Sequence, residues 1–107
     1  MTVSMQAVSV QAVIEQKLSD ALELQHLEVL NESGNHNVPA NSETHFKVTA
    51  VSGWFEGKPL LARHRRVNEI LADELLGPVH ALSIHAYTEA DWKKRHGTAP
   101  LSPPCAN

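Results

Sequence analysis

The order of hydrophobic periodicities along the chain is the feature that most restricts its fold. Apolar residues recur at helical spacing over residues 10–23 and again over 59–76. Strand-like alternation occurs over residues 26–31, 44–52 and 79–87, and a short helix is predicted from Thr88 to about residue 95. The order α-β-β-α-β-α predicts a two-layer α+β domain with a three-stranded sheet. We expect both long helices on one face of this sheet and a largely open second face.

Length and composition indicate a single soluble domain. The chain has 107 residues, of which 42% are hydrophobic and 20% charged, as in ordinary globular domains. We expect a flexible tail over residues 1–9, the domain over 10–95 and a disordered, Pro-rich tail over 96–107. No apolar run approaches the ~18 residues of a membrane span, and residues 1–9 lack the basic side chains of a secretory signal. The prediction is a cytoplasmic protein that does not enter a membrane.

Histidine is plentiful in this chain, and imidazole is the reactive group on which a site would depend. The chain contains seven His, one Cys and no C-x-x-C motif, and a neutral imidazole nitrogen is a good ligand for iron. His36 lies in a polar loop predicted over residues 32–43, and His80 lies at the start of the third predicted strand. From spacing alone, a hydrogen-bonded core or rim residue is the simpler interpretation of His80, and a solvated loop residue is that of His36.

Three further histidines have simpler structural interpretations. His64 lies on the apolar stripe of the second long helix and is expected to be buried and hydrogen-bonded. His45 and His85 lie on the polar faces of their predicted strands and are expected to be solvated. Cys105 is expected to be an inert exposed thiol, because no neighbouring residue would lower its pKa.

A run of arginines offers a second candidate site. Arg63, Arg65 and Arg66 flank His64 on the second long helix. They can form a solvated face paired with Glu69, or a patch for the acidic groups of a partner, of glutathione or of DNA. The net charge of −3 argues against an extensive DNA footprint. No Ser-His-Asp arrangement, P-loop or paired-carboxylate signature occurs, so an enzyme is not expected.

Several short motifs together resemble the BolA family. In order they are H-N-V-P, S-E-T-H-F, F-x-G-x-x-x-x-x-R-H-R, V-H-A-L and a terminal S-P-P-C, and they extend over about residues 10–105. The resemblance implies a fold similar to class II KH domains, but without the G-x-x-G loop that grips nucleic acid. This chain contains no G-x-x-G either.

The resemblance also implies a function and a ligand set. BolA-like proteins partner monothiol glutaredoxins and share a [2Fe-2S] cluster with them and with glutathione. The strand-opening ligand of the family falls on His80, and the variable loop ligand falls on His36. The expected role is iron–sulfur cluster trafficking or iron and redox regulation by a chain that is monomeric when free. Some members are described as DNA-binding regulators. The alternative is therefore DNA binding through Arg63, Arg65 and Arg66.

Overall fold

The secondary structure follows the predicted order. The computed structural model describes residues 9–35, 39 and 42–101. Its elements are α1 (Val10–Ala21), β1 (Leu24–Asn31), β2 (His45–Ser52), α2 (Leu60–Ile70), α3 (Ala72–Leu76), β3 (Ala81–Tyr87) and α4 (Glu89–Lys94), with short 3-10 turns at Ser33–Asn35 and Gly53–Phe55. The α+β class and the three-stranded sheet are confirmed. None of the helices described is long and apolar enough to cross a membrane.

The sheet is mixed, with β2 at its centre. β1 pairs with β2 antiparallel, and β3 pairs with β2 parallel. A parallel pair needs a crossover connection, which α2 and α3 supply. In the parallel ladder His45 lies opposite Ala81, so β2 and β3 begin at the same edge of the sheet. Sequence periodicity alone does not predict which strand ends meet.

The hydrophobic core lies between one face of the sheet and helices α1 and α2. Apolar side chains of both helices and of all three strands are buried there because their spacing matches the period of each element. The principal members are Ile14, Leu18, Val29, Phe46, Val48, Ala50, Val67, Leu71 and Ala86. α1 begins at Ser9, whose hydroxyl accepts a hydrogen bond from the Ala12 N–H at 3.1 Å, the usual N-cap arrangement.

The predicted single helix over residues 59–76 is interrupted. Leu71 leaves the helical region, with φ −101° and ψ 20°, and divides α2 from α3. Its side chain is buried in the core. The turn directs α3 towards α1, where the Lys17 ammonium lies 2.8 Å from a carboxylate oxygen of Glu74. Apolar spacing did not reveal this break, because Leu71 fits the stripe of either a straight or a bent helix.

The second face of the sheet is covered rather than open. The β2 residues that point to this face, Lys47, Thr49 and Val51, are all buried. α4 lies here, and the Trp92 ring stacks on His26 of β1 at 5.0 Å between centroids. The Tyr87 ring of β3 lies 5.4 Å from the same indole. The expectation of a largely open face is therefore wrong for β2.

The chain after α4 also packs on this second face. The ammonium of Lys47, a residue only 5% exposed, donates a hydrogen bond to the Pro100 carbonyl. Thr98 and Arg95 close the intervening turn through two reciprocal hydrogen bonds. Residues 96–98 and Pro100 of the predicted disordered tail thus have defined contacts. Residues 1–8 and 102–107 lie outside the described part of the chain.

Deleting residues 98–107 is expected to destabilise the domain. The deletion removes the Pro100 carbonyl and leaves the ammonium of a buried lysine without that acceptor, at a cost of about 1–3 kcal/mol. Thermal melting of the truncated chain measures the loss. A deletion of residues 102–107, which keeps Pro100, is the matched control. Equal melting temperatures for both deletions would show that the Lys47–Pro100 contact contributes nothing.

Candidate functional site

His80 lies at the edge of the sheet where β2 and β3 begin. Its backbone N–H donates to the Thr44 carbonyl at 2.8 Å, and the next N–H, of Ala81, donates to the same oxygen at 3.2 Å. The preceding residue, Val79, is buried in the core, and its N–H donates to the backbone carbonyl of Glu74. The side chain of His80 itself is exposed. A fixed backbone therefore presents an accessible imidazole, and the core interpretation of His80 is excluded.

His45 lies beside His80. The centroids of the two imidazole rings are 6.4 Å apart, and the ring planes are inclined by 60°. A ring nitrogen of His45, Nδ1, forms a hydrogen bond with the Thr44 hydroxyl at 2.8 Å. The expectation of a solvated His45 is wrong, because its side chain is half-buried and engaged. The signal that would have found this pair is the parallel register of β2 and β3.

The second predicted ligand, His36, lies outside the described residues. The chain on both sides of it is described. The Glu32 N–H donates to the His45 carbonyl at 2.7 Å, and the Asn31 side-chain amide donates to the Ser42 carbonyl at 2.9 Å. The loop that contains His36 therefore leaves and rejoins the sheet at the edge where His45 and His80 meet.

The metal-binding capacity of the described residues is limited. Within residues 9–35, 39 and 42–101, no three His, Cys, Asp or Glu side chains come close enough to hold a metal ion. An iron in a cluster needs more ligands than His80 alone can offer. At this edge the exposed imidazole of His80 could supply one ligand to a metal or cluster.

The three candidate arginines are separated by the fold. Arg63 is turned inward, and its side chain is only 12% exposed. Its guanidinium donates to the Lys58 carbonyl at 2.8 Å and to the Ala86 carbonyl at 3.1 Å, and it lies 3.4 Å from the Asp91 carboxylate. The guanidinium of Arg63 thus joins the start of α2 to β3 and α4 and has little surface left for a partner.

Arg65 and Arg66 have different surroundings. Arg65 is exposed, and no residue in the described part of the chain pairs with it. Arg66 is half-buried, lies 3.8 Å from the Glu69 carboxylate and sits 5.7 Å from the Trp54 ring. Lys58 lies over the same ring at 4.1 Å. The accessible positive charge of this helix therefore belongs to Arg65 and, in part, to Arg66.

Two other histidines differ from expectation. The side chain of His64 is only half-buried, and no described residue forms a hydrogen bond with its ring, so the prediction of a buried, hydrogen-bonded His64 is wrong. His85 is half-buried as well, and its ring lies 3.3 Å from the Ser83 hydroxyl. Burial, followed by the nearby positive charges of Lys47 and Arg95, lowers the pKa of His85 below its ordinary value.

The depressed pKa of His85 predicts a pH effect on stability. Because the unfolded chain binds this proton more readily than the folded one, folding is favoured above about pH 6.5 and weakened as pH falls below that value. His85→Gln removes the titration. As pH is lowered from 7.5 to 5.5, we expect the melting temperature of this variant to rise relative to that of wild type. A difference that does not change with pH would contradict the prediction.

Comparison with known proteins identifies the family. The family model described as BolA-like protein matches residues 18–91. The chain belongs to the BolA-like family. Residues 18–91 include His80, His45 and the whole arginine run, so the candidate site lies within the family's shared region.

Individual BolA relatives are similar over most of the chain. The DNA-binding transcriptional regulator BolA of Vibrio cholerae is 53% identical over 96 residues, which are 90% of this chain and 91% of that protein. BolA-like protein 1 of mouse is 54% identical over 96 residues, which are 90% of this chain and 69% of that protein. These names describe a regulator and a BolA-like protein, and neither describes an enzyme.

Solved BolA structures have the same fold. The solution structure of mouse BolA1 superposes with a TM-score of 0.79 at 50% identity and covers 100% of this chain and 86% of its own. The BolA domain of SufE1 from Arabidopsis thaliana gives a TM-score of 0.73 at 41% identity and covers 80% of this chain and 99% of its own. The sequence resemblance to the BolA family is thereby confirmed.

Proposed function

We propose that this BolA-like protein is a non-enzymatic partner of a monothiol glutaredoxin and co-ligates a bridging [2Fe-2S] cluster through His80 and His36. The observation that carries the proposal is the accessible imidazole of His80 on a backbone fixed by the Thr44 carbonyl. An exposed histidine side chain at the start of a strand adds no buried area to the hydrophobic core. Its ring is instead available to another molecule.

The ligand count supports a shared cluster. A [2Fe-2S] cluster takes four protein or thiolate ligands, and imidazole can replace thiolate on one iron. His80 and His36 supply two of these ligands, while the glutaredoxin cysteine and glutathione supply two thiolates. The described residues contain no group of three potential metal ligands, which agrees with a cluster that is completed only in a complex. The cluster supplies one-electron redox chemistry and exchangeable iron, which suits cluster trafficking or iron and redox regulation.

The direct test is reconstitution of the mixed complex. The chain and a monothiol glutaredoxin are mixed anaerobically with glutathione, iron and sulfide and separated by size. Co-elution with two irons and two sulfides per heterodimer, and a visible spectrum distinct from that of the glutaredoxin alone, is the expected result. A glutaredoxin that keeps its own spectrum and elutes apart from this chain would overturn the proposal.

DNA binding is the second candidate, favoured by the names of relatives and by exposed charge. The relatives of Vibrio cholerae and Escherichia coli, 53% and 50% identical, are named DNA-binding transcriptional regulators. Arg65 points outward from α2 and can contact a phosphate. The inward position of Arg63 reduces the basic patch from three residues to two. This arrangement supports a small phosphate footprint.

Replacing Arg65 is expected to weaken DNA binding without affecting the fold. Arg65→Ala should lower affinity for any duplex and reduce the slope of log K against log salt by about 1, because one phosphate contact is lost. Fluorescence anisotropy between 50 and 200 mM salt measures both. Arg95→Ala, which removes the same charge on the other side of β3, is the control. Identical slopes for wild type and Arg65→Ala would exclude a phosphate contact at Arg65.

A further inference from the structure

The buried hydroxyl of Ser33 accepts hydrogen bonds from the backbone at the start of β2. Ser33 is only 2% exposed. Its Oγ accepts hydrogen bonds from the Thr44 N–H at 2.9 Å and from the His45 N–H at 3.1 Å. Two consecutive backbone donors are thus satisfied by one side chain from 11 and 12 residues earlier.

Thr44 connects this hydroxyl to His80. While the N–H of Thr44 donates to Ser33, its carbonyl accepts from His80 at 2.8 Å and from Ala81 at 3.2 Å. The N–H and the carbonyl of Thr44 belong to two successive planar peptide units, and hydrogen bonds that hold both units restrict the φ and ψ rotations between them. The position of the His80 backbone therefore depends on an orientation of Thr44 that Ser33 fixes.

We infer that Ser33 is a positioning residue for His80 and acts through Thr44. The inference rests on the proposed role of His80 as a cluster ligand. A ligand gives one defined metal geometry when it is held within about half an ångström, and residues supported by helices and strands are held more precisely than residues of a free loop. His80 precedes the first residue of β3 and lies outside the regular ladder. The hydrogen bond from its N–H to the Thr44 carbonyl is what attaches its backbone to β2.

Closing the β1–β2 hairpin does not require Ser33. The antiparallel ladder continues from the Asn31–Phe46 pair to the hydrogen bond between the Glu32 N–H and the His45 carbonyl. Of the two Ser33 contacts, the one with the His45 N–H lies at this closure, and the one with the Thr44 N–H lies one residue beyond it, next to His80. They therefore fix the backbone of Thr44, the residue that precedes β2, relative to the sheet.

A second contact supports the same segment. The two carboxylate oxygens of Glu43 accept from the Val10 and Gln11 N–H groups at the start of α1, each at 3.1 Å. α1 already has a conventional N-cap in Ser9, and free N–H groups at a helix start can bind water. The Glu43 contact therefore adds an attachment between α1 and the residue before Thr44. The segment before β2 is therefore attached twice, to the 3-10 turn through Ser33 and to α1 through Glu43.

The test compares Ser33→Ala with Ser52→Ala. Ser52 is 0% exposed, and its hydroxyl likewise accepts from a backbone N–H, that of Trp54, but it lies at the far end of β2, roughly 25 Å from Thr44. Both variants lose a buried acceptor, so both should melt at lower temperature. Only Ser33→Ala is expected to accelerate hydrogen exchange of the His80 and Ala81 amides in the protein alone, by about tenfold relative to Ser52→Ala. Only Ser33→Ala should shift the visible spectrum and reduction potential of the mixed cluster.

The outcomes separate this inference from the proposed function. Equal His80 exchange in the two serine variants would overturn the positioning role, whether or not a cluster complex forms. Faster His80 exchange with a wild-type chain that forms no mixed complex would support the positioning and refute the cluster proposal. Should Ser33→Ala not fold, Ser33→Cys decides, because a thiol of similar size accepts hydrogen bonds only weakly, and Ser52→Cys is its matched control. Equal His80 exchange in the two cysteine variants would then overturn the inference.

Discussion

The His80→Ala variant is expected to fold like wild type and to form no mixed cluster with a monothiol glutaredoxin. The side chain is exposed, so its removal opens no cavity, and a surface substitution of this kind changes the free energy of unfolding by about 0.5 kcal/mol or less. The two hydrogen bonds to the Thr44 carbonyl use backbone N–H groups and persist. Under the proposed function the variant also lacks one of four cluster ligands, and an iron would then be incompletely bound. Thermal melting and the visible spectrum of the reconstituted complex measure the two effects.

Two histidine variants serve as controls for this result. His36→Cys replaces imidazole by thiolate, so it should keep a cluster while lowering its reduction potential. His45→Ala removes the ring that lies 6.4 Å from His80 and should retain a cluster. A complex that survives His80→Ala but is lost in His45→Ala would assign the strand-edge ligand to His45 and contradict the role given to His80.

The fold followed from the sequence where local periodicity determines structure. Alternation predicted β2 because its residues face either the core or α4, and helical spacing predicted α1 from the stripe that includes Ile14 and Leu18. The break at Leu71 and the cover on the second face did not follow. Both depend on contacts between distant elements, such as Lys17 with Glu74 and Lys47 with Pro100.

The candidate site followed only in part for the same reason. The position of His80 at a strand start was apparent from the V-H-A-L motif. The approach of His45 and Ser33 to it depends on strand order and register, which one sequence does not determine. In the R-H-R motif, residues 63 and 65 are about 200° apart around the helix, so one must face inward if the other faces out. The sequence did not indicate that Arg63 is the inward one.

Replacing Arg63 is expected to destabilise the domain more than replacing any other arginine of α2. Arg63→Met removes the donors of two hydrogen bonds to backbone carbonyls, those of Lys58 and Ala86. A charged donor contributes about 1.5–3 kcal/mol per hydrogen bond, and partial hydration of the freed carbonyls offsets some of the loss. We expect a decrease of about 3 kcal/mol in the free energy of unfolding, or a melting temperature lower by roughly 12–24 °C.

The same change should be visible at Asp91, and it distinguishes a structural arginine from a binding one. The pKa of Asp91 is lowered first by its hydrogen bond with Thr88 and then by Arg63, so Arg63→Met should raise that pKa partway towards its ordinary value, as NMR titration would record. Arg63→Lys should recover little stability, because one ammonium cannot reach acceptors that a planar guanidinium spans. Arg65→Met, which removes an exposed side chain two residues away, should alter stability by about 0.5 kcal/mol or less. Equal stability of Arg63→Met and Arg65→Met would show that the inward contacts of Arg63 do not hold α2 to β3 and α4, and it would return Arg63 to the set of residues available to a partner.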